Sequence, residues 1–460
     1  MEKFKGSPLT DHPDLASAVG LLEHWLQYKV EEGRLPGLSA GIVYDQELIW
    51  ARGFGYADVE LGTPALPDTL YRIASITKLF TSVAIMQLRD AGKLKLDDPI
   101  TDYLGWFKIR SRFPETPPIT IRHLLTHTSG LPRDDITPMW TDSRFPDRAT
   151  LIASLLDREM ALLPDTRWKY SNLAFALLGE IVSTVSGEDY ADYIHNYILK
   201  PLGMDSTTVR TNDARVPRLA TGYTRLDSSG ARTLAPFTDS QGYAPAFNMA
   251  STVEDLARFI SAQFGGEHSF LKASTIKEMH RPQWISDDWT WGNGLGFALR
   301  RYNGRTLVGH GGSVKGHNTG IEFCVPEKCG FIVLTNATST NPQQYISGMV
   351  DIIAPVLAKT LSKPAAPPEF DAAWHKYIGK YVTDWGDFVI CNEGGCLVMR
   401  TLQFPTVPPG ILHPEGEHTF RMEKGGYDGE LVTFEMDDEG RVQRMRFAGE
   451  YSFPAERNGN

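Results

Sequence analysis

The sequence predicts a two-part α/β protein: a long unit mixing helices with an antiparallel sheet, then a small all-β unit. Three observations carry this. Apolar residues at helical spacing are interleaved with short strand patterns from Leu15 to Leu361. The stretch Lys363-Pro364-Ala365-Ala366-Pro367-Pro368 reads as a stiff linker. Beyond it the texture changes to short strands and turns. The expected boundaries are 1–362, a linker at 363–369, and 370–460. A length of 460 residues suits two or three domains.

The net charge of -10 is mild and well mixed, with no Lys/Arg tract, so nucleic acid is not an expected partner. The first residues, MEKFKGSPLTDHPDL, contain no apolar signal-like core, and no run of 18 apolar residues occurs. A soluble, cytoplasmic protein without membrane contact is expected. Cys324 and Cys329, and Cys391 and Cys396, each flank a hairpin-like turn. Cross-strand disulfides are conceivable. The spacing does not suit zinc, and free thiols are the expectation in a cytosolic setting.

Leu15, Val19, Leu22 and Leu26 mark one face of a first helix ending near Gly33. Leu38–Tyr44 and Leu48–Gly53 read as a hairpin about Asp45-Gln46-Glu47. Gly37-Leu38-Ser39-Ala40-Gly41 matches G-x-S-x-G, but Ser39 opens a strand after a helix, whereas a nucleophile elbow needs strand, turn, then helix. Ser39 is therefore expected to be structural.

The stretch Tyr71 to Phe80 contains Ser75-x-x-Lys78. Three residues along a helix rise about 4.5 Å and fall about 60° short of a turn, so the two side chains share a face. A desolvated lysine can take the serine proton, and a serine N–H at a helix start can donate to an oxyanion. The competing reading is a capping serine and a surface lysine. Against it, Thr77–Leu88 is apolar and helical, stopped by Gly92.

A short helix is expected from Asp97-Asp98-Pro99-Ile100, and another over Ile119–Leu125. His123 and His127 are four apart, but no glutamate follows His123 and no third ligand is evident. Structural histidines are expected, with no metal and no cofactor. Tyr170-Ser171-Asn172 precedes a helix over Leu173–Val185. A phenol there can pass a proton, and the Asn172 amide can grip a substrate amide. Residues 203–245 read as loops around a cleft. Ser251-Thr252-Val253-Glu254 reads as a capping box opening a helix to Phe264. Trp284, Trp289 and Trp291 form an aromatic cluster that either lines a pocket or packs on the surface.

Strands are expected at Phe297–Tyr302, Thr306–Gly309, Gly320–Cys324 and Gly330–Thr335, then a helix over Tyr345–Leu361. Between them lies His310-Gly311-Gly312-Ser313. Its glycines would let a substrate backbone approach the strand edge. Ser313 N–H can complete an oxyanion hole with Ser75 N–H, and His310 can assist proton relay or bind a carboxylate when charged. The alternative is a glycine-rich turn with a structural histidine. In the second unit, strands are expected at Tyr377–Tyr381, Asp387–Cys391, Cys396–Thr401, Thr419–Met422, Leu431–Met436 and Arg441–Phe447, giving a small antiparallel barrel or sandwich.

With three motifs in this order, residues 15 to 360 resemble the β-lactamase-related serine hydrolases: class C β-lactamases, D,D-peptidases, D-aminopeptidases and family VIII esterases. Matching stretches include Asp90-Ala91-Gly92-Lys93-Leu94, His123 to Leu131, and Lys200-Pro201-Leu202-Gly203-Met204. The tail is similar to the lipocalin-like C-terminal domain of some family peptidases. The resemblance implies an α/β sandwich of the serine β-lactamase/penicillin-binding type, with an antiparallel sheet flanked by helices, a helical region, and the site between. It implies Ser75 as nucleophile, Lys78 and Tyr170 as the acid–base pair, and Asn172 as substrate anchor. His310 falls where β-lactamases carry the lysine of Lys-Thr-Gly, which implies weak or no β-lactamase activity. The expected function is hydrolysis of small esters or D-residue peptides through an acyl-enzyme. A non-hydrolytic penicillin-binding or sensor homologue and an acyltransferase are the alternatives, and a homo-oligomer is left open.

Overall fold

The computed structural model describes residues 12–134, 138–210, 218–265, 270–361, 370–384, 386–402, 408–424 and 426–455. The expected linker at 363–369 lies outside the described residues. The chain divides into two compact units, Met1–Leu361 and Ser362–Asn460.

The first unit is built on β1 (Gly37–Tyr44), β2 (Glu47–Asp58) and β3 (Thr63–Pro64). Two short strands, β4 (Tyr71–Arg72) and β5 (Ala250–Ser251), form a separate two-stranded sheet. Then come β6 (Trp284–Ile285), β7 (Trp291–Asn293), β8 (Ala298–Tyr302), β9 (Arg305–Val314), β10 (His317–Cys324) and β11 (Cys329–Thr335). Nine of them form one antiparallel sheet, ordered β3-β2-β1-β11-β10-β9-β8-β7-β6. β1 is thus enclosed by β2 and β11, and seven of its eight residues are buried.

One sheet face packs on the helices Pro13–Glu32 and Pro342–Leu361 through Leu22, Leu26, Ile42, Val333, Met349 and Ile353. The other face joins the core of the helical region, where the helices Thr77–Asp90 and Asn172–Ser186 are buried on nearly every side. Two apolar faces on one sheet explain the run of apolar residues in β11 where alternation would otherwise be expected. Among the described residues no helix is long and apolar enough to cross a membrane.

Most expected elements are present with shifted ends. β2 runs on to Asp58, five residues beyond the expected end. The cap of the Val253–Gln263 helix is Thr252, whose side chain accepts the Asp255 N–H, one residue later than the expected Ser251. The strand expected to stop at Gly309 continues to Val314, so His310-Gly311-Gly312-Ser313 is strand rather than turn. Cys324 and Cys329 face each other across β10 and β11, whereas Cys391 faces Val398. All four thiols are free.

The second unit is a closed barrel of eight antiparallel strands: β12 (Gly379–Thr383), β13 (Gly386–Glu393), β14 (Cys396–Thr401), β15 (Gly410–Gly416), β16 (Thr419–Glu423), β17 (Leu431–Met436), β18 (Val442–Phe447) and β19 (Glu450–Pro454). Its interior is filled by Tyr377, Tyr381, Leu397, Met399, Phe420 and Phe434, among others. Expected Tyr377 closes a 3-10 helix instead of opening a strand.

Candidate active site

Ser75 sits on a 3-10 turn, Ala74–Ile76, that leads directly into the Thr77–Asp90 helix. Ala74 takes φ of +48°, a conformation that costs a non-glycine residue about 1–2 kcal/mol. Four hydrogen bonds hold the turn in place. Ile73 N–H donates to Met249 O at 2.9 Å, and Thr319 Oγ1 donates to Ile73 O at 3.0 Å. Thr77 Oγ1 donates to Ala74 O at 2.6 Å and accepts Met249 N–H at 3.1 Å. Ser75 thus lies just outside the helix that carries Lys78, yet the two side chains still meet.

Lys78 is fully buried. Its Nζ lies 3.2 Å from Ser75 Oγ, 2.8 Å from Asn172 Oδ1 and 2.8 Å from Ala246 O. Tyr170 OH donates to Ser75 Oγ at 2.9 Å. Burial pushes the Lys78 ammonium well below its usual range; nearby Asp134 opposes this and Arg133 adds to it. Burial raises the Tyr170 phenol, against smaller opposing effects of Ser75 and Arg133. The two groups flanking Ser75 are therefore driven toward their neutral forms.

Asn172 opens the helix capped by Ser171, whose Oγ accepts the Ala174 N–H. Its Oδ1 faces Lys78, and its Nδ2 donates to Asp134 Oδ1 at 2.7 Å. Both ends of the amide have protein partners, which leaves one Nδ2 proton uncommitted. Asp134 also receives Trp140 Nε1 at 3.0 Å on its other oxygen. Arg133, Asp134, Trp140 and the Ala246 carbonyl were not legible in the sequence. No spacing rule links them to Ser75, and only the fold brings them near.

Beyond Gly309, the last partner of β8, β9 pairs with β10 alone and presents its other edge beside the Ser75 turn. A Cβ on Gly312 would stand 2.1 Å from Ile73 O and 2.4 Å from Thr319 Oγ1. Gly312 is therefore required for the strand to close on the Ser75 turn, a different reason from the expected approach of substrate. At Gly311 a Cβ would meet only Thr319 O, at 3.8 Å, so this position is open. Ser313 Oγ donates to Asn318 Oδ1 at 3.0 Å.

His310 Nδ1 lies 2.5 Å from Gly311 O, and its ring is 6.2 Å from that of Tyr170. A carbonyl only accepts, so Nδ1 carries the proton and Nε2 is a bare acceptor. Burial lowers its pKa to about 4; Lys78 also lowers it and the Gly311 carbonyl raises it. The charged, carboxylate-binding His310 considered from the sequence is thus not the form present at neutral pH.

These groups line a cleft of about 490 Å³, with Ser75, Tyr170, Asn172 and Arg133 facing β9, and Trp140 and Trp291 also on its walls. Trp291 belongs to an aromatic cluster with Trp284 at 5.0 Å and Trp168 at 4.7 Å. The expected third member, Trp289, is 74% exposed and stands apart.

His127 lies buried against the Tyr170 ring at 4.4 Å, and its Nδ1 accepts the Ser171 N–H. His123 Nδ1 accepts the Thr120 N–H in the cap of the Ile121–Leu125 helix. Ser39 is buried in β1, donating to Leu66 O and meeting Tyr71 OH. His123 and Ser39 make these contacts away from Ser75, whereas His127 packs against the Tyr170 ring that reaches Ser75.

Residues 22–348 match the family model described as Beta-lactamase. Beta-lactamase-like protein 4 of Dictyostelium discoideum is 29% identical over 379 residues, which cover 77% of this chain and 66% of that protein. The chain spans slightly less than two thirds of the length of the curated relatives it matches. The octameric penicillin-binding protein homologue from Pyrococcus abyssi is 29% identical, covers 95% of this chain and 100% of its own, and superposes with a TM-score of 0.66. A D-stereospecific amidohydrolase from Streptomyces sp. is 26% identical, covering 73% of this chain and 97% of its own at a TM-score of 0.61. The family match takes in well over half of the sequence and contains Ser75, Lys78, Tyr170 and His310. This chain therefore belongs to the β-lactamase family.

Proposed function

We propose that this chain is a serine hydrolase that cleaves small esters or amides through an acyl-enzyme on Ser75. One observation carries the reading: Ser75 Oγ lies between a buried lysine at 3.2 Å and a half-buried phenol at 2.9 Å. A neutral lysine has two protons and one lone pair. Asn172 Oδ1 and Ala246 O are both acceptors and take the two protons. The lone pair is then left for the Ser75 hydroxyl proton.

In the first step Ser75 Oγ bonds to the substrate carbonyl carbon and its proton passes to Lys78 Nζ. The oxyanion is held by the N–H groups of Ser75 and Ser313. The bond to the leaving group then breaks as Tyr170 gives that group a proton, and Lys78 replaces it. Water repeats the sequence in reverse and releases the acid. Asn172 keeps Lys78 in place, and its second Nδ2 proton is what remains for a substrate carbonyl. His310 Nε2 is an acceptor beside Tyr170 and can assist the relay. Gly311 leaves room for substrate along β9. No step calls for a metal.

The amidohydrolase likeness supports amides of D-residues as substrates, and the octameric homologue supports self-association, which light scattering would test. A neutral His310 in place of a lysine supports poor turnover of β-lactams. The deciding assay compares p-nitrophenyl butyrate with D-alanine p-nitroanilide, using Ser75→Ala as blank. Hydrolysis abolished in that variant, with a Ser75 adduct from an acyl-phosphonate, is the expected result. Full activity in Ser75→Ala would refute the reading. Stable acylation without turnover would instead favour a penicillin-binding sensor.

A further inference from the structure

The cleft carries a charge that the acyl-enzyme chemistry leaves unused. Five charged residues are among the described residues lining it and the space that continues past Ser313: Arg133, Asp134, Arg300, Lys315 and Glu322. Arg300 and Glu322 pair with each other at 3.0 and 2.5 Å. Asp134 is 13% exposed and committed to Asn172, Trp140 and Arg133. Lys315 Nζ donates to Thr141 O at 2.7 Å and Ser143 Oγ at 2.8 Å.

Arg133 stands differently. Its main chain is fixed, because its carbonyl accepts the N–H groups of Asn172 at 2.8 Å and Leu173 at 3.2 Å. Its side chain is 65% exposed, touching Asp134 Oδ2 through Nε at 3.2 Å, with the guanidinium 5.8 Å from the Tyr170 ring centroid. A planar fork on a rigid base beside Tyr170 is suited to a bidentate carboxylate. A substrate ammonium would instead meet Arg133 and Lys315, while among the described residues the lining acids Asp134 and Glu322 are already paired.

We propose that Arg133 is the anchor for a substrate carboxylate, so that this site takes anionic substrates, such as N-acyl amino acids or half-esters of dicarboxylic acids, in preference to free amines. The proposal rests on the cleft being the hydrolase site proposed above. D-Alanine p-nitroanilide, which carries a free amine, is on this view a poor substrate.

The test uses the full chain with Ser75→Ala, so that binding is measured without turnover. N-acetyl-D-alanine and its amide are titrated at low salt, following the fluorescence of Trp140 and Trp291. The carboxylate should bind about tenfold more tightly than the amide, with the advantage shrinking as salt rises. Arg133→Gln should remove the advantage and Arg133→Lys should keep part of it, each variant being checked for an unchanged melting temperature. Equal binding of the two probes, no binding of either at millimolar concentration, or a preference that survives Arg133→Gln would overturn the proposal. So would a preference lost only in Lys315→Gln. Failure of the acyl-enzyme reading shows separately, as turnover retained by Ser75→Ala.

Discussion

At the scale of the residue, the protonation of Lys78 follows from its burial. No water-facing surface is left to stabilise an ammonium, so its pKa falls well below the usual lysine range, while the acceptors Asn172 Oδ1 and Ala246 O fix where its protons point. On the proposed mechanism the active form is the neutral amine, which exists above the depressed pKa. The acid limb of the kcat/KM profile should therefore lie well below the ordinary lysine pKa of about 10.4; a limb rising only near 10 would contradict it. No histidine limb is expected near 6.5, because His310 is lowered to about 4. Lys78→Arg should not rescue Lys78→Ala, since a guanidinium cannot give up its proton in a protein. Tyr170→Phe should reduce kcat about 10²–10⁴-fold with the fold intact; single-turnover acylation measurements would check both variants.

At the scale of the element, the site depends on how closely β9 approaches the Ser75 turn. The contact leaves no room for a methyl group at Gly312, where the obstacles are a backbone carbonyl and the Thr319 hydroxyl that fixes it. Gly312→Ala should cost about 1–3 kcal/mol as an overpacked position and lower kcat as well, because the strand must shift away from Ser75. Gly311→Ala, with open space around the Cβ, should fold normally; equal melting temperatures for the two variants would refute this account. In the second unit the local pattern shows six of the eight strands but not β15 and β19. Both carry a proline, Pro414 and Pro454, and short polar stretches, which weaken a two-residue period. Their existence follows from barrel closure, which supplies partners for edges that local propensity does not explain.

At the scale of the whole molecule, the first unit buries histidines in its core. Burial lowers His127 well below its usual range and lowers His280 and His317 to about 3; Arg72 adds to the effect on His317. All three are held neutral, whereas an unfolded histidine titrates near 6.5. The folded pKa values lie below the unfolded ones, so the stability they contribute is complete above about 6.5 and is lost as pH falls toward about 3. The melting temperature of this unit should therefore drop between pH 7 and 4, and an unchanged value across that range would contradict the burial described. The barrel has its own closed sheet and its own core. A fragment of residues 370–460 should fold alone with a cooperative melt; a fragment without β circular dichroism would show that it needs the rest of the chain.

The sequence by itself determined the helices around Ser75 and Asn172, the order of the three motifs, and the change of texture after residue 362. These are local properties: apolar periods, caps and turn residues act over a few positions. Tertiary structure alone decided which groups are charged and which are committed. Lys78 meets Asn172 across 94 residues and Ala246 across 168. Those contacts fix its position, and burial sets its proton state. The same holds for Asn172, whose amide is occupied by Lys78 and Asp134, and for His310, neutral where a charged form was considered. Arg133, silent in the sequence, became the exposed cation of the cleft once the fold laid it beside Tyr170. Desolvation and pairing are sums over segments far apart in the chain, and no short window of residues contains them.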